Sequence, residues 1–505
     1  MSEAIAGIPA APPPARARDA AAVIMFRRAA SGLEIFWLRR GARLSFAAGF
    51  YAFPGGALDP DDAGVQVEGA EGLDAALRAA AVRELFEETG ALCADGAEKL
   101  TDTELSRLRA AVLAGTASFG TALRALDLRL SRQHLLDAGR WVTPAFMSSR
   151  FDARFFLLEL PRGQLPQFWP GEHAEGGWVS PADALRKWEE GTTLLHPPSL
   201  HAMRILGAFT GVEEIAERLR DPPNCSNYIP ERIEFQRGIR MFPLRTPTLP
   251  PATHTNCYLL GDGELLIVDP GASDPAECER LFAFLGKLAA EGMKPKAVFL
   301  THHHSDHVGG VAAVKRQLGL PIWCHELTAS RLGERADRLI SEGEQLVLAG
   351  GAPMRFSALH TPGHARGHLC LVEERSRAAI VGDMVAGMGT IVIDPPEGDM
   401  SDYLDQLQRM RALPVGALYP SHGPVMADGP GKLTEYLEHR AAREGRVFNA
   451  VVEGQSTIAQ IVAAAYTDVV EFVHPIAARS AEAILIKLVR EGKVNREGDR
   501  YFAAS

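Results

Sequence analysis

The chain has 505 residues, which exceeds what one hydrophobic core usually accommodates, so we predict about three domains. Its 46% hydrophobic and 23% charged residues are typical of soluble globular protein. The net charge of -10 argues against a dedicated nucleic-acid-binding protein, whose phosphate contacts need clustered Lys and Arg. The six cysteines form no C-x-x-C pair, which favours a reducing compartment and a cytoplasmic location. Because the sequence has no run of 18 apolar residues, we expect no membrane partner.

The first predicted strands and helix follow an N-terminal stretch without a regular pattern. Residues 1–19 are rich in Ala and Pro and lack the apolar run of a signal peptide, so we expect a disordered tail. The apolar run 20–26 predicts a buried strand, with residues 33–38 as its hairpin partner. Helical periodicity over residues 73–89 ends at Gly90, a residue typical of helix C-termini.

Three further changes of pattern divide the rest of the chain. The first domain is predicted to span residues 20–210, and residues 211–238, rich in Pro and Asn, are expected to be an irregular linker. Strands and helices alternate over residues 239–435, which predicts a second α/β domain. Residues 436–505 contain three predicted helices and a two-stranded hairpin, a pattern typical of a small winged-helix domain.

A cluster of histidines follows the strand predicted at residues 297–300, in the sequence Thr301-His-His-His-Ser-Asp-His307. Alternation along an extended chain sends His302 and His304 to the same side, while Asp306 and His307 lie at the turn into the next helix. Imidazole nitrogen and carboxylate oxygen are ligands that Zn²⁺ prefers, and catalytic zinc sites leave one position open for water. The cluster therefore predicts a zinc site.

Three later segments end in residues of the same chemistry: Thr361-Pro-Gly-His364, Ala379-Ile-Val-Gly-Asp383 and Tyr419-Pro-Ser-His-Gly423. Together with the histidine cluster they resemble the metallo-β-lactamase fold superfamily over residues 239–435. The resemblance implies an αββα sandwich that binds two zinc ions per chain. Such a pair of ions lowers the pKa of a shared water toward about 7, and the resulting hydroxide attacks an ester, thioester, amide or phosphodiester.

The same resemblance implies a ligand set. It assigns one zinc ion to His302, His304 and His364, the second to Asp306, His307 and His422, and a bridging position to Asp383. Asp306 is also expected to take part in catalysis, and Asp269 matches a position that orients a ligand histidine. The other nearby histidines match no ligand position and are expected to be ordinary packed or exposed side chains: His303, His325, His360 and His368.

The order of a metallo-β-lactamase domain and a winged-helix tail resembles the family of β-lactamase-like protein 2. Residues 251–260 and the pair His439-Arg440 carry this resemblance. The family includes a single-strand-specific endoribonuclease, so single-stranded RNA is a candidate partner beside small-molecule substrates. Glyoxalase-II-type thioesterases share the T-H-x-H-x-D-H core, and residues 441–505 hold eight Lys/Arg against eight Asp/Glu. The substrate therefore stays open.

The helix predicted at residues 73–89 carries a second motif, Arg83-Glu-Leu-Phe-Glu-Glu-Thr-Gly90. Glu84, Glu87 and Glu88 stand at i, i+3 and i+4 and share one helix face. Crowded carboxylates repel one another unless a divalent cation or an arginine compensates, and oxygen ligands suit Mg²⁺ or Mn²⁺. We therefore predict a Mg²⁺ or Mn²⁺ site, with Glu87 and Glu88 as catalytic residues.

This motif and Pro54-Gly-Gly56 resemble the Nudix box, and residues 46–56, 141–144 and 150–156 resemble its coenzyme-A-diphosphatase-like branch. The resemblance implies an α/β/α sandwich that hydrolyses nucleoside-diphosphate-linked substrates. The spacing from Gly56 to Arg83 is longer than in the standard box, and Ala75 stands where its first glutamate is expected. A retained fold without activity is thus an open alternative. Glu172 and Glu175 are either water-orienting carboxylates or solvated loop residues.

The leading hypothesis is a fused pair of metal-dependent hydrolases. A second hypothesis is a nucleotide-sensing regulator whose winged helix binds nucleic acid. A third makes the Nudix-like domain only a structural or acyl-CoA-binding module. The substrates of both sites and the oligomeric state are left open.

Overall fold

The computed structural model describes residues 15–504 except 31, 43, 45, 46 and 148. The described residues divide into two compact units, one ending at Arg237 and the other beginning at Gly238. Of the tail predicted at 1–19, residues 1–14 lie outside the described residues. The prediction was wrong at its end, because Arg18 already pairs with Phe151 in a parallel ladder.

The first unit is built on one mixed sheet. Its strands are β1 (Arg18–Ala29), β2 (Gly32–Arg40), β3 (Tyr51–Ala52), β4 (Gly55–Ala57), β5 (Val67–Glu68), β6 (Leu130–Ser131), β7 (Leu136–Val142), β8 (Phe151–Glu159), β9 (His173–Val179), β10 (Cys225–Ser226), β11 (Ile229–Pro230) and β12 (Ile233–Gln236). Its α-helices are α1 (Gly72–Thr89), α2 (Asp102–Leu113), α3 (Phe119–Ala125), α4 (Pro181–Glu189), α5 (Pro197–Ala208) and α6 (Val212–Leu219). The main sheet has seven strands in the order β3-β2-β1-β8-β7, with β4 also paired to β1 and β9 to β2. Strands β5 and β6 form a separate pair, as do β10 and β11.

Strand β1 shows why this unit has three layers. Val23 and Met25 pack in the core that contains the apolar face of α1. Ile24 and Phe26 point the other way, into the core formed with α4, α5 and α6. Successive strand residues face opposite sides, so a strand buried on both faces reads as one apolar run. The result is the expected α/β/α sandwich. Helix α1 ends at Gly90, whose φ of 75° is the left-handed conformation that favours glycine.

The expected irregular linker at residues 211–238 is partly wrong. Residues 212–219 form helix α6, because Ile215 and Leu219 are four apart on one helix face and are buried in the same core as α5. After α6 the chain is rich in turns, but it contains the short pair β10 and β11 and then the buried strand β12.

The second unit contains two sheets and a helical tail. Its strands are β13 (Ile239–Arg245), β14 (His254–Leu260), β15 (Glu264–Val268), β16 (Lys294–Phe299), β17 (Ile322–Cys324), β18 (Arg338–Leu339), β19 (Gln345–Leu348), β20 (Met354–His360), β21 (Leu369–Glu373), β22 (Ala379–Gly382), β23 (Leu418–Pro420), β24 (Val494–Glu497) and β25 (Arg500–Ala503). Its helices are α7 (Pro275–Ala290), α8 (Ser305–Val308), α9 (Val311–Leu318), α10 (Glu326–Ala329), α11 (Met400–Ala412), α12 (Gly429–Val452), α13 (Ile458–Ala465) and α14 (His474–Arg490).

Strands β13 to β18 form one sheet in sequence order, and β19 to β23 form the other. Helices α7 and α9 share an apolar core with the first sheet. Helices α11 to α14 share another with β21 and β22. This is the expected αββα sandwich. Strands β15 to β17 are parallel, as are β22 and β23, so the loops after their carboxyl ends share an edge.

The C-terminal module consists of α13, α14 and the hairpin β24–β25, as expected for a winged helix. Helix α12 leads into it without a break at the expected boundary of residues 435 and 436. Throughout the described part of the chain, every helix is too short or too polar to cross a bilayer.

Candidate functional site

The histidine cluster lies where several strand ends meet. His302 follows β16, Asp383 follows β22 and His422 follows β23. Ligand atoms of three overlapping groups lie within 4.8 Å of one another: His302, His304 and His364; His302, His307 and Asp383; Asp306, His307 and His422. All seven residues expected as zinc ligands are thus brought together, although they come from four separate loops.

Asp383 lies between the two triads. Its Oδ2 is 3.4 Å from Nε2 of His364 and 3.6 Å from Nε2 of His307. Its Oδ1 is 3.4 Å from Nε2 of His422, which is also 3.5 Å from Oδ2 of Asp306. One carboxylate therefore faces histidines of both triads.

Asp269 fixes one side of the centre from beneath. It is fully buried and accepts hydrogen bonds from the backbone N–H of Thr301 at 2.8 Å and from the Thr301 hydroxyl at 2.6 Å. Its Oδ2 lies 2.9 Å from Nδ1 of His307. A carboxylate can only accept, so His307 donates from Nδ1 and turns its Nε2 toward the centre.

Backbone carbonyls orient two other rings in the same way. Nδ1 of His364 donates to the carbonyl oxygen of Val392 at 2.8 Å, and Nδ1 of His422 donates to that of His254 at 3.0 Å. Their Nε2 atoms therefore face inward, toward the other ligand atoms of the centre. Nδ1 of His304 lies 3.0 Å from Nε2 of both His302 and His364. Three lone pairs at such distances repel one another unless a cation or a proton lies between them.

Burial and neighbouring charges shift the pKa values of the histidines in the centre in opposite directions. Burial lowers the pKa of His302, His304 and His364, and neighbouring imidazoles lower the pKa of His302 and His304 further. Burial alone would also lower the pKa of His307, but Asp383, Asp306 and Asp269 together hold it well above its ordinary value. The first triad is therefore neutral at pH 7, as metal ligands must be.

Two buried polar atoms test whether a metal ion fits. Nε2 of His307 and Oδ1 of Asp383 are buried and have no hydrogen-bond partner among the described residues. Buried polar atoms are almost always paired, so such orphans at a converging set of nitrogen and oxygen ligands fit a divalent cation.

The sequence reasoning missed the role of His368. This buried ring accepts a hydrogen bond from the backbone N–H of Asp383 at 3.1 Å, and its other nitrogen is 2.8 Å from the hydroxyl of Thr361. A Cβ on Gly382 would lie 2.4 Å from the His368 ring, so this approach requires glycine. His325 and His360 stack on each other with ring centroids 4.2 Å apart. His303 is half-buried beside His304.

The carboxylate helix α1 forms a separate cluster in the first unit. Arg83 donates to Glu84 at 2.8 Å and contacts Glu87 at 3.5 Å, and it also pairs with the buried Asp62 at 2.9 Å. Glu88 is buried and accepts the backbone N–H of Gly55 at 3.0 Å. The structure thus places Arg83 as the counter-ion of this face.

The Gly-Gly loop approaches the carboxylates closely, since a Cβ on Gly56 would lie 2.4 Å from a carboxylate oxygen of Glu84. Burial raises the pKa of Glu87 to about 7 and that of Glu88 well above its usual range. Within the described residues, however, three ligand atoms converge within 4.8 Å only in the second unit. Glu172 and Glu175 are exposed. Ala75, at the position where the first glutamate of the box is expected, packs on the core of the first unit.

Family models match three consecutive parts of the chain. Residues 65–206 match the NUDT19 Nudix domain, residues 250–422 match the metallo-beta-lactamase superfamily, and residues 457–503 match the beta-lactamase associated winged helix domain. The three matches follow the order of the two sandwiches and the C-terminal module.

Curated relatives include a beta-lactamase-like protein 2 homolog of Caenorhabditis elegans, 31% identical over 48% of this chain and 80% of its own length. The atrochrysone carboxyl ACP thioesterase of Aspergillus chevalieri is 32% identical over 48% of this chain and 77% of its own length.

Similar solved structures include a metallo-beta-lactamase family protein of Thermus thermophilus, with 25% identity, 54% and 100% coverage and a TM-score of 0.46. A NUDIX hydrolase of Alicyclobacillus acidocaldarius has 30% identity, 41% and 99% coverage and a TM-score of 0.37. The family models and the curated relatives show that the chain is a hydrolase of the metallo-β-lactamase superfamily, with a Nudix domain before the superfamily domain and a β-lactamase-associated winged helix after it.

Proposed function

We propose that the second unit is a dizinc hydrolase. The first zinc ion would be held by His302, His304 and His364, the second by Asp306, His307 and His422, with Asp383 between them. The observation that carries the proposal is the convergence of seven side chains around the unpaired Nε2 of His307 and Oδ1 of Asp383. Imidazole-rich ligand sets favour zinc over the oxygen-seeking ions.

When bound, a pair of zinc ions lowers the pKa of water and polarises the oxygen of the bond to be cleaved. The chain's own residues prepare this chemistry. Asp269 and the carbonyl of Val392 hold His307 and His364 in the tautomers whose Nε2 faces inward. Asp306 and Asp383 supply the negative charge of the centre, and Asp306 can accept a hydrogen bond from the attacking water.

We favour a thioester as the substrate of this site. The relative from Aspergillus chevalieri is named as an acyl-carrier-protein thioesterase, and it matches this chain over most of its own length. Residues 441–505 have no excess of Lys and Arg to hold a polyanion such as single-stranded RNA. Single-stranded RNA is therefore the alternative substrate.

For the first unit we propose Mg²⁺- or Mn²⁺-dependent hydrolysis of a nucleoside-diphosphate-linked substrate by Glu84, Glu87 and Glu88. A bound ion would take the place that Arg83 occupies beside Glu84 and Glu87. An acyl-coenzyme A molecule contains both a thioester and a diphosphate. It is thus one substrate class that offers a bond to each of the two sites.

Metal analysis and a substrate panel test both proposals on the full chain. We expect about two zinc ions per chain and cleavage of an acyl-coenzyme A thioester with Zn²⁺. His307→Ala should lower the zinc content to about one and abolish thioester cleavage, while Mg²⁺-dependent diphosphate cleavage persists. Glu87→Gln should have the opposite pattern.

Three results would count against these assignments. A His307→Ala variant as rich in zinc as the parent would refute the ligand set. Zinc-dependent cleavage of single-stranded RNA without thioester cleavage would reverse the choice of substrate. A parent chain that cleaves no diphosphate with either Mg²⁺ or Mn²⁺ would leave the Nudix domain as a binding or structural module.

A further inference from the structure

The segment of residues 384–394 connects two parts of the metal centre. It begins directly after Asp383, and its Val392 carbonyl accepts the hydrogen bond from Nδ1 of His364 at 2.8 Å. The position of this segment therefore decides which way His364 turns. Contacts that fix residues 384–394 therefore also fix the orientation of His364.

Two tyrosines fix the first part of the segment. The hydroxyl of Tyr403, on α11, donates to the carbonyl oxygen of Met384 at 2.6 Å. The hydroxyl of Tyr436, on α12, accepts the backbone N–H of Ala386 at 2.8 Å. Both tyrosines are buried, so these bonds are shielded from water.

The two residues that flank Val392 are held from the C-terminal helices. The guanidinium of Arg440, on α12, donates to the carbonyl oxygen of Ile391. The backbone N–H of Ile393 donates to the Ser480 hydroxyl, on α14, at 3.1 Å. Ile393 is fully buried, so without Ser480 its N–H would lose its partner. An ion pair of 2.6 Å between Arg479 and Asp394 closes the segment.

The cationic residues of α14 also form ion pairs within the second unit. Its three Lys and Arg residues are Arg479, Lys487 and Arg490. Arg479 pairs with Asp394, Lys487 with Glu444 at 2.9 Å, and Arg490 with Asp399. A helix that reads nucleic acid needs free cations for phosphate contacts. The cations of α14 are instead paired within this unit.

The apolar face of α14 packs into the core of the same unit. Ile484, Leu485 and Leu488 are buried in the core that also contains Tyr403 and Val381. Helix α14 is thus docked against α11, α12 and residues 393–394 through its apolar residues, its cations and Ser480.

We propose that the winged-helix domain serves the metal centre as an intramolecular positioning module. Through Ser480, with Arg440 from the preceding helix, it fixes residues 391–393 so that the Val392 carbonyl holds His364 with its Nε2 facing the metal. This inference rests on the proposed function, because it requires His364 to be a metal ligand. Ser480 and Arg440 are positioning residues and touch no reacting atom.

The test uses the full chain loaded with Co²⁺, whose visible absorption reports the geometry of its ligands. Ser480→Ala leaves the Ile393 N–H unpaired and frees the Val392 carbonyl to shift. We expect Co²⁺ release to an excess of chelator to become about two- to tenfold faster, which corresponds to one net hydrogen bond. The absorption bands of the remaining Co²⁺ should also shift.

A matched variant separates positioning from stability. Ile484→Val removes one methylene from the same helix and the same core, and it leaves every hydrogen bond and ion pair of residues 384–394 in place. It should lower the melting temperature and leave both the release rate and the absorption bands at parent values. If Ser480→Ala and Ile484→Val give the same release rate and bands, the positioning role is refuted.

Two further outcomes are decisive. If the parent chain binds no Co²⁺ in a centre sensitive to His307→Ala, the proposed function fails and this inference falls with it. If Ser480→Ala does not fold, Arg479→Gln takes its place, because Arg479 is about half exposed and its loss breaks only the pair with Asp394. A release rate for Arg479→Gln equal to that of the parent would then overturn the inference.

Discussion

Asp269→Asn is the sharpest perturbation of the metal centre, because it changes one charge and almost no volume. Asp269 accepts three contacts, from the N–H and the hydroxyl of Thr301 and from Nδ1 of His307. An asparagine replaces one acceptor oxygen by an NH₂ group. In either orientation of the amide, that NH₂ meets a donor: the Thr301 N–H on one side, or the Nδ1–H of His307 on the other.

The magnitude follows from the bonds that are lost. A hydrogen bond to a charged group contributes about 1.5–3 kcal/mol, and loss of a group that orients a ligand histidine typically costs about 10- to 100-fold in metal affinity. We therefore expect zinc at the His307 site to bind about 10- to 100-fold more weakly. Zinc on the triad of His302, His304 and His364 should change much less, because Asp269 contacts His302 only through Thr301.

A chromophoric chelator that competes for zinc measures both affinities in one titration. Asp274→Asn is the matched control, since it makes the same chemical change at the exposed helix cap at the end of the same loop. Its titration should overlay that of the parent. An Asp269→Asn protein that folds normally and keeps both zinc affinities within twofold of the parent would refute the reasoning.

Three further predictions concern the rest of the chain. Glu87→Gln should reduce Mg²⁺-dependent diphosphate cleavage to background without lowering the melting temperature, because the amide keeps the shape of the side chain; unchanged cleavage would remove Glu87 from the site. Burial first, and Arg40 second, lower the pKa of His196 from 6.5 to about 3. The unfolded chain therefore takes up a proton that the folded chain refuses, and this group alone should cost about 2 kcal/mol of stability between pH 7 and pH 5. His196→Phe should flatten that part of the curve in acid unfolding experiments, and identical slopes would contradict the assignment. We also propose that the second unit folds and acts without the first. A fragment of residues 239–505 should therefore stay soluble and keep its zinc-dependent activity. An insoluble fragment would show that the domain boundary lies elsewhere.

The ligand histidines could be predicted from sequence because their chemistry is local. His302, His304 and His307 stand within one short loop, and the geometry of a strand end followed by a helix turn brings them to one side. The burial of β1 and β16 could likewise be predicted, because their apolar runs are visible in the sequence.

The contacts that orient the ligands could not be predicted, because they depend on tertiary packing. His368 reaches the N–H of Asp383 only because β21 and β22 are paired and Gly382 has no side chain. Ser480 is 87 residues from Ile393 in sequence, and a serine in a helix gives no local sign of such a bond. Helix α6 was missed because Pro and Asn just after it dominated the pattern.

Helix α12 has a mechanical consequence. Its 24 residues run without interruption from the superfamily domain to the loop before the winged-helix match, a length of about 36 Å. Bending a continuous helix requires breaking its own hydrogen bonds, and neither proline nor a positive φ interrupts its interior. Helix α12 itself therefore has no hinge. Because β25 packs directly on it, a force or thermal motion that displaces the C-terminal hairpin is transmitted along α12 to Tyr436 and Arg440. Unfolding of the tail and loss of the metal should for that reason occur in a single cooperative transition.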